Sequence, residues 1–339
     1  MNEYRSAGAP RPLVSVVIPA YNAAAYIRDA IDSVLTQTYP NIEIVVVNDG
    51  STDDTAAVAR SYGSRVRVFD QENRGIAGAR NTGIRHALGS IIALLDADDV
   101  WLPERVERCV EVLESDPNVG FVTTDAYLIV EDELTDLRYY GAYQRFPFPE
   151  RALQLQEIAR RNFVFVSVLF DRRLLGVTGS AFDETLRAAE DFDLWTQFLL
   201  AGANARLVPE PLALYRIRED SVSRVRDQQW RAHRFILKRY LRLMWLRGVN
   251  GRPSDEFEIG SDLVWSGQRM AGFRFMLHAI LSSEARASQR IRFAFVALGL
   301  LANPRRSTTS GTGPADRGPT GRRRNGSREA GTPDGRRPA

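Results

Sequence analysis

The sequence predicts an α/β protein built on a mostly parallel sheet flanked by helices, with a helical C-terminal appendage and a basic tail. Three observations predict it. Short apolar, β-branched runs alternate with helical patterns over the first hundred residues. Each run is too apolar to have a wet face, which suits strands covered on both sides. The last 37 residues contain too little apolar material to build a core.

Residues 14–18 (VSVVI) form the first run and end at Pro19. A helical pattern follows in which Ala25, Ile27, Ala30, Ile31, Val34 and Leu35 share a face. The strand signal returns at 42–47 (IEIVVV), and Ser51 with Asp54 three residues on reads as a capping-box-like start for a helix to about residue 61. Val66 to Phe69 make a third strand, Ile76 to Leu88 a third helix, and Ile91 to Leu95 a fourth strand. Pro103 suits the first turn of a further helix. Residues 131–150 read as a long loop, acidic and then aromatic, and 163–170 (FVFVSVLF) resume as a strand. Helices are expected over about 191–200, 228–247 and 266–302.

These signals divide the chain into a disordered arm (1–12), a catalytic domain (13–225), a helical region (226–302) and a disordered tail rich in Arg, Gly and Pro (303–339). The formal charge of +3 is uneven, because the tail holds nine Arg against three acids. The body is therefore slightly acidic, and nucleic-acid binding by the folded part is not expected. The apolar run 293–302 is too short to span a bilayer, and its pattern favours a helix docked on the core over one lying on a membrane. The only cysteine, Cys109, rules out an internal disulfide and a cysteine-based zinc site. With no secretory pattern in residues 1–13, a reducing, cytoplasmic setting is expected.

Ligands of parallel sheets bind beyond the carboxyl ends of the strands. There the chain carries Pro19, Ala20, Tyr21 and Asn22, then Asn48 to Ser51, then Asp96, Asp98 and Asp99. Three carboxylates within four positions repel one another unless a hard cation and its phosphate neutralise them. Helix capping by Asp99 is the structural alternative. Asp49 can accept from a base or ribose, although Asn-Asp-Gly-Ser is also ordinary turn chemistry. Arg74 precedes a helix start where a diphosphate could sit, and Arg80 lies further along; a surface ion pair is the plain alternative for either. Glu190 and Asp191 open a helix far along the chain, where a carboxylate can serve as a base or simply favour the helix dipole. The three histidines lack ligand spacing.

The blocks VSVVIPAYNAAAYI, VVVNDGSTDDT, ENRGIAGARNTGI, LLDADD and RAAEDFDLW stand in one order. Together they resemble family 2 inverting glycosyltransferases of the GT-A fold, over roughly residues 13–225. The resemblance implies that Pro19, Ala20 and Tyr21 line a nucleoside pocket, Asp49 binds the base and Arg74 faces the diphosphate. It makes Asp96 and Asp98 a DxD motif for Mn²⁺ or Mg²⁺, with Asp96 nearer the donor, Asp98 the direct ligand and Asp99 in support. Asp191, paired with Glu190, becomes the catalytic base, and Trp195 shapes the acceptor side. It further implies a nucleotide-sugar donor, with uridine the commonest base in the family, and a carbohydrate or lipid-linked acceptor. Where relatives carry Tyr-Arg-x-His, this chain has Tyr215-Arg216-Ile217-Arg218. Rival readings are a non-catalytic sugar-nucleotide binder and a membrane-surface enzyme, touching anionic lipid through its C-terminal helices and tail and acting on a polyprenyl-linked acceptor.

Overall fold

The structure, a computed structural model, describes residues 11–143, 164–165, 167–179, 181–218, 226–249 and 252–302. The expected arm up to residue 10 and the tail from 303 lie outside the described residues, as do residues 144–150 of the expected loop.

The four apolar runs are parallel strands: β1 (Val14–Ala20), β2 (Ile42–Asp49), β3 (Val66–Gln71) and β4 (Ile91–Leu94). All seven residues of β1 are buried, as a strand covered on both faces requires. β2 pairs along one edge of β1 and β4 along the other, in the order β3-β2-β1-β4. The chain direction through the sheet therefore reverses at β1, and a ligand crevice belongs beyond its carboxyl end. Helices α1 (Ile27–Leu35), α2 (Thr55–Arg60) and α3 (Gly75–His86) connect these strands. α1 buries Ile27, Ala30, Ile31 and Val34 as its periodicity predicts, while Leu35 stays exposed.

The sheet then becomes mixed. β5 (Val100–Trp101) precedes α4 (Arg105–Ser115), which opens two residues beyond Pro103 and buries Cys109. β6 (Val119–Val130), β7 (Glu133–Arg138), β8 (Val168–Asp171) and β9 (Asn204–Ile217) extend the sheet to nine strands among the described residues. β8 is antiparallel to both β4 and β6, whereas β9 runs parallel to β6 and carries β5. The short helix α5 (Arg173–Thr178) follows β8, and α6 (Glu190–Leu200) comes before β9.

Four expectations need correction. Residues 133–138 of the supposed loop form the hairpin strand β7 against β6, and Tyr139–Tyr143 make a π turn. The strand expected at 163–170 begins only at Val168. Ser51 does not cap α2: its hydroxyl accepts from Asn22 N, and the helix starts at Thr55, whose amide donates to Asp53. Arg11 and Pro12 are not frayed, since Tyr39 donates its hydroxyl to Pro12 O and Arg11 pairs with Glu107.

The C-terminal helices are α7 (Arg226–Leu246), α8 (Pro253–Trp265), α9 (Arg269–Leu281) and α10 (Ala287–Ala302). Ile236, Leu237, Leu241 and Met244 of α7 enter the main core. The expected single helical stretch 266–302 is broken at 282–286, and α8, α9 and α10 share a small second core around Phe257, Met276 and Phe293.

Candidate active site

The loops after β1 and β2 are stitched together by side chains. Asn22, at a left-handed φ of 48°, accepts from Thr52 N at 2.8 Å and donates its own amide to Ser51 Oγ at 3.0 Å. Thr55 Oγ1 accepts from Ala23 N. Pro19 and Ala20 are buried at the end of β1, and Tyr21 stands 52% exposed just beyond them. This arrangement is an apolar floor with an aromatic ring at its mouth.

Asp49 ends β2 and is only 3% exposed. Its Oδ1 accepts from Gln71 Nε2 at 2.6 Å and from Arg74 N at 2.9 Å, so the carboxylate fixes the start of α3. Its Oδ2 takes no hydrogen bond from the described residues and remains open to a ligand donor. Gly50 next to it has φ +75°, and a Cβ there would stand 2.9 Å from Asn73 N. Only glycine allows that approach at that φ. The Arg74 guanidinium does not hang free, because Nη2 donates to Glu184 Oε2 at 2.6 Å.

That contact belongs to a second seam. Asn81 on α3 donates to Phe182 O and accepts from Phe182 N, both at 2.9 Å, and also donates to Glu184. Arg85 lies near enough to add to the pull of Asn81 and Arg74, which hold the Glu184 carboxyl below its ordinary range. The segment 181–184 is thereby clamped onto α3, just ahead of the turn through Ala189 (φ 59°) that starts α6.

Arg80 is the residue that sequence reasoning undervalued. The ion-pair alternative applies to it only in part, because it is not at the surface: Arg80 is 1% exposed. It donates from Nη2 to Asp96 Oδ1 and from Nη1 to Glu190 Oε1, each at 2.7 Å, and its guanidinium lies over the Phe182 ring. Burial by itself would lower its pKa, but Asp96, Glu190 and Asp191 outweigh burial and raise it. One guanidinium therefore brings the end of β4 and the start of α6 together. The readable signal was a mid-helix arginine sharing its face with Ala77, Gly83 and Ile84.

Asp96, Asp98 and Asp99 occupy the turn after β4, with Asp99 N bonded to Asp96 O. Burial and repulsion from Asp96 raise the Asp98 pKa, while Arg218, 3.5 Å away, opposes them. Asp99 is buried and accepts from Arg216 N at 3.0 Å, so it ties the turn to β9 and does not cap α4. Its Oδ2 is buried with no hydrogen-bond partner, and burial with the Asp98 and Asp96 charges raises its pKa strongly. Arg216 also donates to Asp98 O, and Arg216 and Arg218 both lie over the Tyr26 ring. Tyr26 and Arg216 were not singled out as site residues, since neither stands in an acidic or glycine-rich block.

Asp191 lies in the first turn of α6, partly buried, and its Oδ1 accepts from Phe192 N at 2.7 Å. Trp195, one turn on, is fully buried among Phe121, Phe170 and Phe198, so its ring supports the helix from the core. Among the described residues no three Asp, Glu, His or Cys side chains converge to cage a cation. Asp96 and Asp98 nonetheless supply hard oxygen donors of the kind Mg²⁺ or Mn²⁺ accepts alongside phosphate and water.

An α/β sheet whose acidic turns gather at its carboxyl edge, beside a buried arginine, has the architecture of the GT-A fold. The chain belongs to glycosyl transferase family 2, whose model matches residues 15–175. It is 30% identical over 248 residues to the putative teichuronic acid biosynthesis glycosyltransferase TuaG of Bacillus subtilis, covering 70% of this chain and 92% of that protein. It is 36% identical over 222 residues to the succinoglycan biosynthesis protein ExoO of Rhizobium meliloti, covering 63% of each. Two rickettsial uncharacterized glycosyltransferases match at 38% and 37% identity, and the chain spans 31% and 59% of their lengths. Among solved structures, Staphylococcus aureus TarS 1-349 superposes with a TM-score of 0.54 at 17% identity, over 85% of this chain and 79% of that one. The mannosyltransferase PcManGT of Pyrobaculum calidifontis, solved with GDP-Man and Mn²⁺, gives 0.50 at 22% identity, over 87% and 82%. At these identities the likeness is one of fold.

Proposed function

We propose that this chain is an inverting glycosyltransferase that moves a sugar from a UDP- or dTDP-linked donor to a hydroxyl acceptor, in the building of a polysaccharide, cell-wall polymer or glycolipid. The observation that carries the reading is the Arg80 bridge, which joins the aspartate turn after β4 to the Glu190-Asp191 start of α6. The names of TuaG and ExoO support polysaccharide as the product class. Residues 13–225 form the catalytic unit in this reading. Burial pushes the Cys109 thiol up to about 11, so it stays a neutral thiol.

Pro19 and Ala20 form the floor for the nucleoside, Tyr21 covers it, and the open Oδ2 of Asp49 accepts from an N–H of the base. Arg74, together with the amides opening α3, faces the diphosphate. Asp96 and Asp98 would hold the divalent cation, which supplies positive charge to the departing diphosphate. Asp191 accepts the proton of the acceptor hydroxyl as its oxygen bonds to the anomeric carbon. The bond from that carbon to the diphosphate oxygen breaks, and the nucleoside diphosphate leaves with the electron pair. Attack from the face opposite the leaving group inverts the configuration.

Calorimetric titration of UDP and dTDP, with and without Mn²⁺, on wild type and Asp98→Ala tests the donor half. Binding that requires Mn²⁺ and is lost in Asp98→Ala is expected. No binding of either nucleotide under any condition would remove the reading.

A further inference from the structure

The pattern of residues 293–302 favours a core-facing helix, and the structure grants only half of that. Phe293 does turn inward, its ring stacked 4.1 Å from Phe257, and Ala297 packs beside the same cluster. Ile291, Phe295 and Leu298, spaced i, i+4 and i+7, lie on another face of α10 and are 60%, 73% and 61% exposed. α9 repeats the arrangement. Phe275, Met276 and Ala279 are buried, whereas Met270, Arg274, Leu277 and Leu281 form an exposed stripe. The α9 stripe does not reflect a loosely packed helix. A Cβ on Gly272 would stand 2.4 Å from Gly260 O, so α8 and α9 meet backbone to backbone.

Large apolar side chains gathered in this way mark a surface that something covers. Its charge says what. From Arg269 to Ala302 the chain has five arginines against one glutamate, a net +4, and the tail adds +6. With a total of +3, residues 1–268 are left near −7. The molecule is therefore electrically lopsided, with its positive charge gathered toward the C-terminal end. Arg274 and Arg292 are exposed beside these apolar side chains, which sets cations at the edge of the stripes. Arginine alternating with Phe, Leu and Ile suits a lipid headgroup boundary, where chains enter the acyl edge and guanidinium groups meet phosphates. Among the described residues no helix is long and apolar enough to cross a membrane, so the helices would lie on it.

We propose that the outward faces of α9 and α10 seat this protein on an anionic membrane surface. The inference is independent of which sugar the site transfers.

Flotation of the full chain with vesicles of phosphatidylcholine, alone or mixed with phosphatidylglycerol, tests it. Binding is expected with the anionic vesicles only, falling as salt is added. The Leu277→Glu/Phe295→Glu double variant alters only exposed positions, so its melting temperature should stay at the wild-type value. Its vesicle affinity should drop by about tenfold or more, since two apolar anchors are lost and two anions gained. Wild type that ignores anionic vesicles, or a folded double variant that binds them as wild type does, would overturn the proposal. A dimer in light scattering that the double variant splits would reassign the face to a second copy. Loss of binding on truncation after Ala302, with the double variant unaffected, would move the contact from the helices to the tail.

Discussion

Asp96 and Glu190 are held by the same buried guanidinium, each 2.7 Å from one terminal nitrogen of Arg80. Asp96 stands just after β4 and Glu190 begins α6, and no pairing of strands brings them together. The arginine is what sets the donor-side aspartates against the helix that carries Asp191. Arg80→Lys keeps a cation but cannot reach both carboxylates in a fork. Its kcat should fall by about a hundredfold with donor KM changed little, because a displacement of about 1 Å between base and donor is enough for that loss. Arg80→Met leaves two carboxylates facing each other and should also lower stability by roughly 3 kcal/mol or more. Steady-state kinetics and urea denaturation on both variants check this. A Lys variant less stable than wild type yet with unchanged kcat would reduce Arg80 to a structural tie.

Asp191→Asn isolates the base. The amide preserves size and can still accept from Phe192 N, so the start of α6 should hold. Without a carboxylate to take the acceptor proton, turnover should fall by roughly 10²–10⁴. Nucleotide affinity should stay within about twofold of wild type, as the proposed donor contacts lie on β1, β2, the start of α3 and the β4 turn. Turnover near wild type would send the search for the base to another group.

How much of this was legible follows from where each signal lives. β1, β2 and β4 are apolar runs, so both their existence and their parallel arrangement could be read, and with them the positions of Asp49, Asp96 and Asp98 at or just past the strand ends. β6 buries Thr123, Thr124 and Asp125 in mid-strand. β9 carries Pro209 and Pro211 and shifts register against β6 near them, which blurs a period of two. Antiparallel β8 is four residues long, too short to report its direction. Arg80 was visible as a residue but not as a bridge, since its partners come from 16 and 110 positions away. The burial of Trp195 could not be read from its motif, which opens on the acidic pair Glu190 and Asp191. α6 starts at the site and runs away from it by about 5.4 Å per turn, and four residues on the side chain is already in the core.

Glu43 gives a pH-dependent stability away from the active site. Burial pushes its pKa up, but hydrogen bonds from Ser15 Oγ, Leu88 N and Arg67 prevail and hold it below the ordinary 4.5. A carboxylate whose folded pKa is depressed contributes stability that is present above 4.5 and lost as pH falls through the folded value. Glu43→Gln has no such titration. Its deficit against wild type should be about 1–2 kcal/mol at neutral pH and should shrink below the ordinary carboxylate range. Urea midpoints measured across that range decide it, and a deficit independent of pH would show that the carboxylate charge is not the source.

Arg218 stands where the family resemblance leads one to expect a histidine, and its guanidinium lies 3.5 Å from Asp98 Oδ2 and over the Tyr26 ring. A fixed cation at that distance satisfies Asp98 when no metal is present and repels a divalent ion that would bind the same carboxylate. It would also face the diphosphate that such an ion accompanies, so the two effects have opposite signs for different ligands. Replacing the arginine separates them. Arg218→His removes the permanent charge at neutral pH and offers a nitrogen ligand, so the Mn²⁺ concentration for half-maximal nucleotide binding should fall severalfold. Arg218→Ala removes the repulsion and the phosphate contact together, so it should need less Mn²⁺ yet bind nucleotide more weakly at saturating metal. Titrations of Mn²⁺ at fixed UDP and of UDP at saturating Mn²⁺ give the two quantities separately. If both variants need more Mn²⁺ than wild type, Arg218 does not compete with the ion for Asp98, and its role is to position the aspartate for the metal.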